Sequence, residues 1–292
     1  VIVNGVSAGL ALKFSGVGAE VANGQGYRTV ALIYAIISIP LFLIVFFTSK
    51  EVVQPKGDPQ PFSFKDTVNN LIKNKYLMIV TFVMVLQMTA FMGRIAITSY
   101  YVIYCLGSFT MIALIMTIPS IGGIIGSFCV PFFAKKFGKR NVLMWSMIIQ
   151  GIGLIVMYLA PFDNMKMVLT GDVIFGLFNV GFPMSLSMVA DSVDYMELRT
   201  GIRTDGTAYA TYGLATKIGN AIGGAFGILI MSAFGYVANA QQTAQALKGI
   251  NFTVNLLPAI LFFLAAAMCL LWKMTDKEAD DIRAQLREKH NA

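Results

Sequence analysis

Long apolar stretches alternate with short polar segments along most of this chain. Seven of them are long enough to cross the roughly 30 Å hydrocarbon layer of a membrane as helices: residues 27–48, 76–103, 107–133, 141–160, 167–190, 206–232 and 250–272. Residues 1–12 resemble the end of an eighth span. Tyr27 next to Arg28, and Trp272 next to Lys273, are pairs typical of membrane interfaces. The pattern predicts an all-α membrane protein.

Composition excludes most classes of soluble protein. Of the 292 residues, 57% are hydrophobic and only 13% are charged. Residues 107–133 and 141–160 contain no Asp, Glu, Lys or Arg. When Tyr is left out and Gly is added, about 62% of the chain is apolar, against about 45 to 50% in an ordinary soluble domain. This excess is typical of a protein with several membrane spans.

The basic residues are distributed unevenly between the two sides of the predicted bundle. If the spans alternate in direction, segments 49–75, 134–140, 191–205 and 273–292 share one side and carry 16 Lys and Arg, whereas the other side carries four. The positive-inside rule makes the first side cytoplasmic, with the C-terminus in the cytoplasm and the protein in the inner (plasma) membrane. The net charge of +7 therefore reflects topology, and we expect no nucleic-acid partner.

Segment 49–75 divides the spans into two and six. Pro55, Pro59 and Pro61 make it a cytoplasmic linker. Six spans form one half of a twelve-span transporter. We therefore assign 1–48 to the end of an N-terminal half and 76–272 to a C-terminal six-helix half, followed by a cytoplasmic tail at 273–292. Val1 begins in apolar sequence without Met, so we expect a bundle truncated at its N-terminus, with about eight spans of twelve.

Three charged residues lie at lipid depth within the predicted spans, away from the span ends, namely Arg94, Asp172 and Lys217. A charge at the membrane centre costs about 2.5 to 3.5 kcal/mol on insertion scales, so each should face a polar cavity or a partner. Lys217 can donate to sugar hydroxyls, neutralise a carboxylate or hold two helices together. Arg94 can clamp a carboxylate of a substrate or bridge helices. Asp172 lies about 8 Å below the outer surface, where water could still reach it.

Two charged clusters lie on the predicted cytoplasmic side. Lys135, Lys136, Lys139 and Arg140 surround Gly138 in a short turn. Asp191 and Asp194 lie three residues apart, hence on one helix face, and Arg203 follows them. These residues are candidates for a gate of reversible ion pairs, and the alternative is a solvated charged loop.

Other residue patterns predict helix packing and buried side chains, and they do not predict a catalytic or metal site. Gly219, Gly223 and Gly227 recur every four residues, which predicts close helix packing. The three cysteines lie far apart without a CxxC pattern, so we expect buried apolar side chains and neither disulfide nor metal site. His290 is the single histidine and lies in the tail, so no catalytic triad or HExxH motif can be formed.

Several short motifs resemble the last third of the glycoside-pentoside-hexuronide:cation symporter family. They are DSVDY at 191–195, TGIR at 200–203, Lys217 with Gly219, GYV at 235–237 and QALKGI at 245–250. The resemblance extends over the whole chain and implies a major-facilitator-type helical bundle. It also implies that residues 1–12 belong to helix five of the family.

The resemblance implies roles for four residues in sugar binding. Lys217 corresponds to a helix-eleven lysine near the sugar and cation sites, and Phe182 stands where a member of the family has an aromatic residue in the sugar pocket. Tyr212 and Thr216 fall on pocket-facing positions. The coupling cation binds on helices upstream of this chain, and no cofactor is implied.

The sequence predicts a secondary active symporter that moves a glycoside, pentoside or uronide with Na⁺ or H⁺ by alternating access. Its partners are the sugar, the coupling cation and the lipid bilayer. A regulatory or structural membrane protein without transport is the first alternative, and a membrane enzyme is the second.

Overall fold

A computed structural model of the chain describes residues 10–11, 13–16, 24–49, 69, 71–108, 111–238 and 240–291, with side chains up to residue 289. The backbone divides into two compact units, Val1–Phe62 and Ser63–Ala292. Most of the predicted span 1–12 and most of the linker 49–75 lie outside the described residues. The side chain of His290 does too.

The first unit contains helix α1, Gly24–Thr48, which confirms the predicted span 27–48. Its apolar side chains point in every direction, and Phe42 and Phe46 are each 75% exposed within the unit. A helix with no polar face is typical of a lipid environment or of a position among other helices.

The second unit is a bundle of helices. Its elements are α2 (Lys75–Tyr100), α3 (Met111–Phe137), α4 (Lys139–Leu159), α5 (Met165–Leu177), α6 (Gly181–Thr200), α7 (Asp205–Ala233), α8 (Ala244–Asn251), α9 (Leu257–Cys269) and α10 (Asp276–Asn291). α2 continues as a π-helical turn, Tyr101–Cys105, and a second such turn, Phe252–Leu256, joins α8 to α9. Across both units, the described residues include seven helical stretches that are long and apolar enough to span a membrane. In this count α5 with α6 forms one stretch, and α8 with α9 forms another.

Helix α2 occupies the centre of this bundle and packs against α6, α7 and α9. Its contact with α7 depends on the glycine stripe. A Cβ atom on Gly223 would lie 2.6 Å from the Thr89 carbonyl oxygen and 2.7 Å from the Gly93 nitrogen. Only glycine leaves room for backbones at this separation, as in other membrane helix pairs. The predicted close packing at Gly223 is therefore confirmed.

The predicted span 167–190 is interrupted. α5 ends at Leu177, three residues follow without helical structure, and α6 begins at Gly181. Pro183 falls in the first turn of α6, where its missing N–H needs no intrahelical acceptor. Gln150 of α4 donates to the carbonyl oxygen of Phe178 at 3.2 Å, which satisfies one backbone group of the break.

Two further features differ from the sequence prediction or extend it. Cys105 and Cys269 are buried as predicted, but Cys129 is exposed, so burial was the wrong prediction for it. An apolar side chain on the outside of a membrane bundle is covered by lipid and needs no protein core.

The tail 273–292 contains helix α10, whose Ala279, Ile282 and Leu286 are buried against the bundle.

Candidate functional site

Two aromatic residues predicted in the sugar pocket lie together where α6 and α7 meet. The ring centroids of Phe182 and Tyr212 are 5.9 Å apart. The Tyr212 hydroxyl donates to the main-chain carbonyl oxygen of Phe182 at 3.2 Å. Tyr212 is buried, whereas the Phe182 side chain is 47% exposed. Tyr212 therefore holds in place the helix start that presents Phe182.

The next turns of α7 present Thr216 and Lys217. Thr216 is half-buried and donates to the Gly213 carbonyl oxygen at 2.7 Å, which leaves its oxygen free to accept. Lys217 is exposed and forms no ion pair with any side chain that the structure describes. Tyr209 and Asn220, eight residues before and three after Lys217, are exposed on the same side by helical periodicity. The sequence did not single out these two neighbours.

Arg94 and Asp172 form a buried ion pair between α2 and α5. Arg94 Nη2 lies 2.6 Å from Asp172 Oδ1, and the two side chains are 3% and 0% exposed. The guanidinium also lies 4.4 Å from the centroid of the Phe175 ring and 3.4 Å from the sulfur of Met157. Side chains of α4 and α5 thus surround the charge of Arg94.

The pair shows which contact Arg94 makes in this structure, and its predicted role in substrate binding stays a prediction. A fully buried guanidinium with an internal carboxylate bridges helices in this structure. The depth of Asp172 in its predicted span left open that water reaches its carboxylate. In the structure the Asp172 side chain has no exposed area. Among the described residues, the nitrogen Nε of Arg94 and the oxygen Oδ2 of Asp172 have no hydrogen-bond partner. The interior therefore holds two charges with incomplete hydrogen bonding, which makes their pairing essential.

The first predicted gating group is centred on Asp191 of α6. Lys139 Nζ, at the start of α4, lies 2.6 Å from Asp191 Oδ2. Arg283 Nη2 of α10 lies 3.6 Å from Asp191 Oδ1. The Lys139 backbone N–H donates to Asp276 at 3.0 Å. One carboxylate thus joins the α3–α4 turn and the tail helix to α6.

The second predicted gating group is centred on Arg203, in the loop between α6 and α7. Its Nη1 lies 3.2 Å from Asp194 and 2.5 Å from Glu197. Its Nε and Nη2 contact both carboxylate oxygens of Asp205 at 2.5 and 3.0 Å. Burial lowers the pKa of Arg203, but hydrogen bonds to Asp205 and Glu197 outweigh it and hold the pKa above its ordinary value. The Arg203 side chain therefore stays protonated at every physiological pH.

The other three basic residues predicted for the gate are Lys135, Lys136 and Arg140, and their contacts differ from those of Lys139 and Arg203. Lys135 and Lys136 are exposed, and no ion pair is found for either among the described residues. The amino group of Lys136 lies 5.3 Å from the centroid of the Phe137 ring. Arg140 is half-buried, and its Nε has no hydrogen-bond partner in the part of the chain that the structure describes. The four basic residues of the turn therefore do not act as one group in this structure.

Sequence reasoning missed several partners. Asp276 and Arg283 lie in the tail, where the spacing of Ala279, Ile282 and Leu286 was a signal of an amphipathic helix. Glu197 and Asp205 were visible in the charged cluster, but their pairing with Arg203 depends on the turn at Gly201, whose φ is +71°. Within the described ranges, no group of three or more His, Cys, Asp or Glu could hold a metal ion.

Comparisons with known proteins place these features in one family. The family described as MFS/sugar transport protein matches residues 2–276. The chain is similar to the isoprimeverose transporter of Lactiplantibacillus pentosus, with 32% identity over 94% of this chain and 57% of that protein.

Two more relatives have lower identity. The uncharacterized symporter YjmB of Bacillus subtilis is 26% identical over 90% of this chain and 58% of its own length. The glucuronide carrier protein homolog of Escherichia coli is 25% identical over 89% of this chain and 57% of its own length. The chain spans somewhat more than half the length of these relatives, so the match covers a multi-pass membrane region and not their whole length.

Proposed function

The chain belongs to the MFS/sugar transport protein family, and from this premise we propose that the whole protein is a secondary active sugar:cation symporter. It moves a glycoside, pentoside or uronide together with Na⁺ or H⁺ by alternating access. The observation that carries the proposal is the exposed Lys217, unpaired among the described side chains, on the same helix as Tyr212 of the Phe182–Tyr212 pair. The names of the relatives, which include a transporter and a symporter, support it.

The residues on α6 and α7 have complementary roles in this proposal. The exposed ring of Phe182 offers a flat apolar surface to the C–H face of a sugar ring. Lys217 offers three N–H donors to hydroxyl or carboxylate oxygens. Thr216 offers an acceptor, because its own proton is used within the helix. Tyr212 is a positioning residue, since its hydroxyl is bonded to the Phe182 backbone.

The ion-pair clusters at Asp191 and Arg203 belong to the inner, cytoplasmic rim in this proposal. All the pairs described there are formed within the second unit. They order the rim, and charges on the other half of the transporter would compete for the same groups as the rim closes. The Arg203 side chain is 47% exposed, and exposed ion pairs are worth about 0 to 1 kcal/mol each, so the pairs of Arg203 can exchange partners at a small cost in free energy.

The site of the coupling cation is proposed to lie upstream of the described residues. No metal-holding group of acids is found within those residues. The positive-inside distribution supports a location in the inner (plasma) membrane with the tail in the cytoplasm. No enzymatic role is proposed, since the relatives named above are transporters or symporters by name.

Counterflow of labelled sugars tests the proposal. The full-length protein is reconstituted into vesicles preloaded with a panel of glycosides, pentosides and uronides, and exchange is measured with and without Na⁺ at two values of pH. At least one sugar should exchange, and an imposed gradient of one of the two cations should drive its accumulation. A complete absence of exchange and accumulation across the panel would argue for a membrane protein without transport.

Substitution of Lys217 tests the site itself. Lys217→Ala should abolish accumulation while membrane insertion is retained, because the substrate loses a charged donor in a low-dielectric site. Lys166→Ala is the matched control, since Lys166 is an exposed lysine on α5, remote in sequence from the proposed surface. Near-normal uptake by Lys217→Ala would remove this residue from the sugar site and leave the transport proposal to the counterflow experiment.

A further inference from the structure

An apolar groove of about 470 Å³ lies between α3 and α4, outside the sites described above. Its walls include Cys129, Phe133 and Phe137 of α3 and Trp145 of α4, and its floor includes Leu177 and Val180 near the break between α5 and α6. The hydroxyl of Ser146, which also lines it, donates to the Leu143 carbonyl oxygen at 2.8 Å. The groove therefore presents almost no unmet polar group to an occupant.

The glycines of α3 explain where the groove begins. A Cβ atom on Gly122 would lie 2.7 Å from the Leu177 nitrogen, and one on Gly126 would lie 2.6 Å from the Val180 side chain. At these positions α3 touches the end of α5 and the break that follows it. Beyond Gly126, α3 carries the bulky Phe133 and Phe137 toward the groove, so α3 and α4 leave a space between them.

The length of the groove matches one membrane leaflet. From Ile125 to Phe137 the wall follows thirteen residues of α3, whose twelve helical steps of 1.5 Å give a length of about 18 Å. The hydrocarbon core of a bilayer is about 30 Å thick, so one leaflet contributes about 15 Å. Because α3 is one of the helices able to cross a membrane, an acyl chain from one leaflet can lie along the whole groove.

The mouth of the groove is basic. Lys135 and Lys136 form the last turn of α3, both are exposed, and Lys136 Nζ lies 5.3 Å from the ring of the groove residue Phe137. Lys139, across the turn, is engaged by Asp191. Neither Lys135 nor Lys136 has an ion pair among the described residues, so their charge is available to an external anion.

From this geometry we propose that the groove binds an anionic membrane phospholipid. One acyl chain fills the space between α3 and α4, and the phosphodiester group lies against Lys136, with Lys135 adding to the local positive potential. Apolar walls select an acyl chain, and free lysines at one end select a net negative headgroup. This site is separate from the proposed sugar surface on α6 and α7.

The two tryptophans of this sequence allow a direct test. Trp145 lines the groove and is 55% exposed, whereas Trp272 is only 2% exposed. The full-length protein is reconstituted into vesicles that contain phosphatidylcholine and a minor fraction of phosphatidylglycerol, with brominated acyl chains on one lipid or on the other. Bromine quenches a tryptophan that it contacts, and the emission lost in Trp145→Phe isolates the contribution of Trp145.

Quenching of Trp145 should be about two-fold or more stronger per mole of brominated phosphatidylglycerol than per mole of brominated phosphatidylcholine. Lys136→Gln, or the double Lys135→Gln/Lys136→Gln, should remove this preference while leaving protein yield and monodispersity unchanged. Lys166→Gln, which alters an exposed lysine outside the groove, should preserve it. Equal quenching by both lipids, no quenching of Trp145, or a preference that survives the double substitution would each overturn the proposal.

Discussion

The guanidinium of Arg94 and the carboxylate of Asp172 meet at 2.6 Å inside the bundle, with no water-accessible area on Asp172. They belong to α2 and α5, which are far apart in sequence but held together by this pair. In a low-dielectric interior each charge is tolerable only because the other is present. The ion pair therefore keeps α2 and α5 from moving independently of each other.

Removing one charge of this pair should destabilise the protein more than removing both. Loss of one partner of a buried ion pair costs about 3 to 5 kcal/mol, whereas replacing both with apolar residues of similar size is often close to neutral. We expect Asp172→Asn and Arg94→Met to lower the thermal unfolding midpoint of purified protein in detergent, and Arg94→Met/Asp172→Leu to recover most of the loss. Additive losses in the double variant would show that the two residues act separately.

Arg94→Lys should impair transport of every sugar class by a similar factor. Lysine keeps the charge but cannot reproduce the planar contact of the guanidinium with Phe175 and Asp172. Since Arg94 is buried, we expect similar fractional losses of uptake for a uronide and for a neutral glycoside. A loss confined to uronides would instead mean that Arg94 reaches the substrate carboxylate in another conformation of the transporter.

The spans could be predicted from the sequence because each apolar run is long and contains few charged residues, so hydrophobicity alone identifies it. Predicted 141–160 and observed Lys139–Leu159 differ by one or two residues. The break at Phe178–Val180 was hidden because two of its three residues, Phe178 and Val180, are apolar, and the single polar Asn179 does not interrupt the apolar run. The partner of Arg94 could not be predicted either, since pairing of α2 with α5 depends on tertiary packing and leaves no local periodicity.

In the charged clusters, too, the shared helix face could be predicted from the sequence but the ion-pair partners could not. The sequence indicated that Asp191 and Asp194 share a helix face, and left open whether their partner was Arg203 or the basic turn. In the structure the two acids have different partners, Lys139 for Asp191 and Arg203 for Asp194. A difference of three residues rotates a helical side chain by about 60°, which is enough to direct the two carboxylates toward different loops.

The glycine stripe of α7 provides a matched pair of substitutions. Gly223→Ala should destabilise the bundle, because the new Cβ would meet the Thr89 carbonyl oxygen at 2.6 Å. Gly224→Ala places a Cβ where no atom of the described residues lies within 4 Å, and alanine favours the helix by about 0.5 to 1 kcal/mol. Thermal unfolding should show a lower midpoint for the first variant and an equal or higher midpoint for the second. The reverse order would show that α2 and α7 are not closely packed.

Asp191→Asn should loosen the tail helix α10. Asp191 lies 3.6 Å from Arg283 of α10 and also holds Lys139, whose backbone N–H binds Asp276 at the start of α10. We expect faster amide hydrogen exchange in residues 276–289 of this variant. Asp194→Asn is the control, because Asp194 pairs with Arg203. Equal exchange in both variants would indicate that Ala279, Ile282 and Leu286 hold α10 without help from the ion pairs.

The final prediction concerns the role of Asp194 in the proposed gate. Asp194 shares Arg203 with Glu197 and Asp205, so its loss leaves the guanidinium with two carboxylates and the fold intact. The Arg203 side chain is 47% exposed, and such pairs are worth about 0 to 1 kcal/mol, which changes a two-state population by no more than several-fold.

We therefore expect Asp194→Asn to shift the full-length transporter toward inward-facing states and to lower uptake, with little change in sugar affinity. Single cysteines placed on the two sides of the membrane report the shift, since labelling from the cytoplasmic side should increase and labelling from the outer side should decrease. Asp163→Asn, at an exposed acid in the loop before α5, should change neither rate. If Asp194→Asn weakens sugar binding while the labelling pattern stays that of the parent, Asp194 acts on the binding site and the gate assignment fails.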